Sequence, residues 1–162
     1  MNQNMQNAND CGPSGVSRVT GKSIEEVKAK WPGGWKDHED WRDDFNDWPD
    51  DHRLALASLG FTSAPVTLSD ILDGRAPVGK TVVLLHFSDT KKHWVVLAGV
   101  KEGTWGFHWG DGTVRWLTRA RLAELFTKSF PNCAYSVGTQ PAKKLPWYRR
   151  VLGWLAGITG KF

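Results

Sequence analysis

The chain is short of the residues that would place it among disulfide-built or membrane-spanning proteins. Only two cysteines, Cys11 and Cys133, occur in 162 residues, too few for a disulfide framework. No run of about 18 apolar residues exists, so there is no candidate membrane-spanning helix. The first ten residues are polar and carry only one charge, Asp10, which is not the basic-then-apolar order of a secretory signal. Together these absences predict a cytoplasmic protein whose thiols stay reduced. Acid is missing from residues 143–162, which hold Lys143, Lys144, Arg149, Arg150 and Lys161. Those five residues account for the net charge of +4. The body before them is near neutral, without the basic footprint of a nucleic-acid binder.

What the chain has in excess is tryptophan, ten residues of it, within a hydrophobic content of 40%. That composition and length fit one globular domain over residues 1–140, followed by a basic, Trp-containing tail over 141–162. Helical spacing predicts a helix over residues 13–20 with Gly21 as its stop. Ser23 and Glu26 read as a capping box for a second helix that ends at Pro32. Residues 31–51 interleave Trp31, Trp35, Trp41, Phe45 and Trp48 with Asp37, Glu39, Asp40, Asp43, Asp44, Asp47, Asp50 and Asp51. These acids do not follow the ligand order of a calcium loop. An irregular insertion anchored by aromatics and solvated by carboxylates is expected, with Gly33-Gly34 as turn residues or a cleavable pair. Residues 51–59 return to a helix packed through Leu54, Ala55, Leu59 and Phe61, and 67–72 form another.

The period then changes from helix to strand. Residues 81–87, 93–100, 105–109 and 113–117 are rich in β-branched and aromatic side chains and are broken by turn residues. They predict four antiparallel strands in a meander, followed by a helix over 118–126 and an edge strand over 132–137. Helices first and an antiparallel sheet afterwards make an α+β fold.

Asn9-Asp10-Cys11-Gly12-Pro13 puts a thiol at the mouth of the first helix, where unpaired N–H groups and the helix dipole favour the thiolate. Pro13 suits an opening helical turn, and Gly12 permits close approach to the sulfur. A nucleophilic thiol needs a base within about 2.6–3.2 Å and a third group to orient that base. His93 opens a predicted strand, and Asp111 lies at the exit of the next one, so the hairpin between them can bring the two together. His86, His108, His38 and His52 compete for the role of base. His86 and His108 fall inside strands, where a packed histidine is the commoner case. Cys133 reads as structural.

Gln6-x4-Cys11 within Asp-Cys-Gly-Pro, together with Leu84-Leu85-His86-Phe87 and His93-Trp94-Val95-Val96-Leu97, resembles the papain-like cysteine peptidases that trim double-glycine leader peptides. The resemblance spans most of residues 6–130. It implies a papain-like fold with Cys11 as nucleophile, His93 as general base and then acid, Asp111 as orienting carboxylate and Gln6 as oxyanion donor. It implies hydrolysis of a peptide bond through a thioester, on a peptide or protein substrate, with no metal or cofactor. Asp111-Gly112 departs from the family's Asp-Pro, and the acidic Trp-rich insertion is foreign to it. Two alternatives use the same scaffold. One is a catalytically silent structural or binding module of a viral particle or secretion assembly, and the other is an acyl transferase or deamidase. In the tail, Trp147, Val151, Trp154 and Ile158 fall on one helical stripe with Arg149 and Arg150 off it. That pattern suits an anionic membrane surface, a protein partner, or packing back on the domain.

Overall fold

A computed structural model describes residues 10–36, 47–89, 91–126 and 133–139 of the chain. Gln6, residues 37–46 of the acidic insertion and the 141–162 tail lie outside the described residues. The described part is a mixed α+β structure with a six-stranded antiparallel sheet in the order β1-β6-β2-β3-β4-β5. Its strands are β1 Phe61–Pro65, β2 Thr81–Ser88, β3 Lys91–Lys101, β4 Thr104–His108, β5 Val114–Thr118 and β6 Ala134–Thr139. The helices are α1 Cys11–Thr20, α2 Ile24–Ala29, α3 Pro49–Ser58, α4 Leu68–Leu72 and α5 Arg119–Leu125. None of the described helices is long and apolar enough to cross a membrane.

Strand alternation sorts the apolar side chains into two cores. On one face Val82, Leu84, Trp94, Val96, Tyr135 and Val137 pack with Cys11, Val16 and Val19 of α1, Val27 of α2, and Ala55 and Leu56 of α3. On the other, Val83, Leu85, Val95, Leu97, Phe107 and Ala134 pack with Ile71 of α4 and with Leu122 and Leu125 of α5. The continuous apolar runs of β2 and β3 follow from this, since both of their faces are buried.

Local signals set most of the boundaries. α1 begins at Cys11, two residues before the expected start, and ends where Gly21 takes a left-handed φ of 73° and its N–H reaches Ser17 O. Ser23 caps α2 by accepting from the Glu26 N–H. In α3 the side chain of Asp51 accepts from the Trp48 N–H at 3.0 Å, with Pro49 in the first turn. Two expectations fail here. Leu54, expected to pack, is 45% exposed, because α3 turns His52, Ala55 and Leu56 inward instead. The segment at 134–139 is no edge strand: it lies between β1 and β2. The strand that displaces it from the edge, β1, has a Thr-Ser-Ala-Pro sequence with weak β propensity, and its pairing with β6 supplies what propensity does not.

Candidate functional site

Cys11 is the first residue of α1 and only 5% exposed. Asp10 does not cap the helix, because its carboxylate is taken by Lys28 Nζ at 2.8 Å and Trp35 Nε1 at 3.0 Å. The carboxylate found at this end of α1 belongs to Asp47. It lies so close over Gly12 that a Cβ there would overlap it, and the Cys11 thiol donates to its Oδ2 at 3.8 Å. An anion over a helix N-terminus is favourable, by about 0.3–2 kcal/mol. Here that stabilisation goes to the protein's own side chain.

Asp47 is completely buried and held at two further points. Its Oδ1 meets His52 Nε2 at 2.5 Å, and its backbone carbonyl accepts from Trp94 Nε1 at 3.1 Å. His52, equally buried, uses Nδ1 to meet the Tyr135 hydroxyl at 2.6 Å. Its ring lies 4.0 Å from that of Trp94 and 5.0 Å from that of Trp31, centroid to centroid. The result is a continuous buried chain from Cys11 through Asp47 and His52 to Tyr135, drawn from α1, the approach to α3, α3 itself and β6. Burial first, and then the Asp47 charge, push the Cys11 thiol well above its ordinary value, although backbone N–H groups of Trp94 and Gly12 favour the thiolate. The Tyr135 phenol is raised for the same two reasons. Near neutral pH the sulfur is therefore a protonated thiol.

His93 takes a different course. It pairs with Leu85, and cross-strand partners share a face, so its side chain leaves β3 on the Leu85 and Val95 side. Trp94, one residue on, packs with Cys11 on the opposite face. No hydrogen bond joins His93 to Cys11, and His93 Nε2 is buried without a hydrogen-bond partner. The ring stands 5.4 Å from that of Trp109. Burial first, then the charges of Arg115 and Lys91, lower the imidazole to about 4 against the opposing pull of Asp111.

Asp111 is near enough to act on His93 electrostatically but does not hold its ring. Its Oδ1 accepts from the Thr113 N–H at 2.9 Å and from the Thr113 hydroxyl at 2.6 Å, and its Oδ2 accepts from Arg115 at 3.1 Å. The Thr113 hydroxyl is the first cause of its lowered pKa. Asp111 thus works as a turn residue at the β4–β5 connection. Gln6 lies outside the described residues. Of the three expected site residues that are described, Cys11, His93 and Asp111, none makes a hydrogen bond to another.

Sequence reasoning missed Asp47, His52 and Tyr135 as a group. Asp47 sits among many acids, and nothing local separates it from its neighbours; only the Trp48-Pro49 helix start hints that the chain turns inward there. Among the described residues no cluster of three or more His, Cys, Asp or Glu side chains is arranged to hold a metal ion. Neither the protein-family models nor the curated proteins contain a match to this chain.

Proposed function

We propose that this chain is a papain-like α+β module that recognises a partner rather than cleaving one, with Cys11 kept as a buried structural thiol. The observation that carries the reading is the Asp47 carboxylate over Gly12, where a peptidase would need space for the oxyanion of its tetrahedral intermediate. A protonated thiol beside a carboxylate, with its expected base on the other sheet face, lacks the activation that nucleophilic catalysis requires. The papain-like assignment rests on the Cys-Gly-Pro helix start packed across an antiparallel sheet whose central strand carries His93-Trp94-Val95-Val96.

A second reading is a cysteine peptidase using Cys11, His93, Asp111 and Gln6. What favours it is the Trp94 backbone N–H lying against the Cys11 sulfur, which places the thiol beside the backbone next to His93. In that mechanism Sγ attacks the scissile carbonyl while His93 takes the thiol proton and returns it to the leaving amine. Water then hydrolyses the thioester. Hydrolysis and transfer to another acyl acceptor would share the first step.

Mass spectrometry after incubation with iodoacetamide and with an electrophilic peptide probe separates the two. The binding-module reading expects Cys11 to react no faster than Cys133, whose thiol burial pushes up to about 11. Rapid, selective labelling of Cys11 that disappears in His93→Ala would overturn it in favour of the peptidase.

A further inference from the structure

A cleft of about 250 Å³ opens on the α1 face of the sheet, and Cys11 does not line it. Ser14, Ser17 and Arg18 of α1 form one wall, and Trp94, His108 and Trp109 form the other. Among the described residues, no Asp or Glu lines the cleft. Arg53, Arg75, Arg115 and Arg121 each pair with a nearby carboxylate. Arg18 is exposed and has no such partner among the described residues, and the His108 ring makes no hydrogen bond there either. Burial first, then the Arg18 charge, hold His108 below its ordinary value. Near neutral pH the ring is an uncharged hydrogen-bonding group and the guanidinium supplies the positive charge.

Beyond the cleft the same face carries an apolar shelf. Val114 pairs with His108 and Trp116 with Gly106, and these side chains are 40% and 48% exposed. The indole of Trp116 lies across two glycines: a Cβ at Gly106 would come within 2.9 Å of the ring, and one at Gly99 within 3.7 Å. Only glycine at 106 leaves room for that seat. Covering glycine backbone explains the seat, but it does not explain an Arg and a His facing a cleft beside it whose described lining holds no acid.

We infer that the cleft and shelf together bind an extended segment of a partner protein that carries an acidic side chain two residues from an apolar one. The carboxylate enters the cleft against Arg18 and His108, and the apolar group lies on Trp116. The spacing follows from the sheet. His108 and Trp116 are diagonal neighbours about 7–8 Å apart, and side chains two apart on an extended peptide are separated by about 6.6 Å. The volume suits one side chain; it is below the roughly 300–1,000 Å³ of sites that enclose whole small molecules. This assignment rests on the binding-module reading and gives it a ligand chemistry.

The test uses the full chain and a randomised pool of N-acetylated, C-amidated hexapeptides, with captured peptides read by mass spectrometry. Asp and Glu should be enriched about tenfold over Asn and Gln at one position, the ratio expected of one charge-assisted contact, with apolar residues enriched two positions away. Arg18→Gln should remove the acidic preference and keep the apolar one, and Trp116→Ala should do the reverse, with circular dichroism confirming the fold. No acidic enrichment, or enrichment unchanged in Arg18→Gln, overturns the inference. Peptides shortened by the native chain but not by Cys11→Ala would overturn the non-catalytic reading and leave an enriched acidic signature standing. An absent signature with no shortened peptides would overturn the cleft assignment alone.

Discussion

His52 and His93 occupy opposite faces of one sheet and make a controlled pair. His52 is fully buried, and both ring nitrogens are engaged, by Asp47 and by the Tyr135 hydroxyl. His93 is half-buried, but its Nε2 is buried with no hydrogen-bond partner, and its neighbours are Trp109 and the charges of Arg115 and Lys91. The lesson is about cost. A buried polar group with partners fixes the packing around it, whereas one without partners is a desolvation penalty waiting for a ligand, a proton or a substitution.

The most severe way to break the contrast is Asp47→Ala, which strips His52 and Cys11 of their shared acceptor. It should cost about 3–5 kcal/mol, as loss of one partner from a buried pair does, read as a fall in urea midpoint. It should also speed iodoacetamide labelling of Cys11 at fixed pH, because the carboxylate no longer raises the thiol. Unchanged stability would show that the chain from Cys11 to Tyr135 is not held as described.

Acid comes next. The His93 imidazole sits at about 4 in the folded chain against 6.5 for an unperturbed histidine, so the unfolded state binds the proton first. Stability from this group is therefore full above about pH 6.5, falls as pH drops towards 4, and has lost about 3 kcal/mol once both states are protonated. Unfolding curves from pH 7 to 4 should show that slope, and His93→Leu should flatten it. An identical slope in the variant would assign the acid sensitivity to other groups.

Tyr135→Phe should cost less, about 1–3 kcal/mol, because it leaves His52 Nδ1 buried without its partner while preserving the ring packing. The smallest effect belongs to His93→Leu at pH 7, expected within about 1 kcal/mol of the native chain or slightly more stable, since replacing an unsatisfied polar group by an apolar one is close to neutral. A loss as large as that of Tyr135→Phe would erase the distinction between the two histidines.

Much of the fold was legible in the amino-acid sequence because its signals are local. The Ser23 cap, the Gly21 stop and the Val-Val-Leu-Leu run of β2 each act over a few residues, and the elements form where those signals stand. β1 was not legible, because Thr62, Ser63 and Ala64 become a strand only by pairing with residues more than 70 positions later. The site was readable in part. Cys11 does open a helix and His93 does lie in a strand, but which face a strand residue takes depends on its register. A shift of one residue exchanges His93 for Trp94 beside the sulfur. Asp47 and His52 were hidden for another reason: an acid and a histidine in a charged segment look solvated until Trp31, just past α2, and Trp94 of the sheet close over them.

The sheet order also dictates a timetable for synthesis. Strands β2 to β5 are joined by short connections and can pair as each leaves the ribosome, whereas β1 emerges before all of them and must wait for β6. Tyr135 rides on β6, the last of the described strands. Until it arrives, a nascent chain has two exposed strand edges and a half-satisfied histidine, and this late vacancy is where chaperone dependence or misassembly should concentrate.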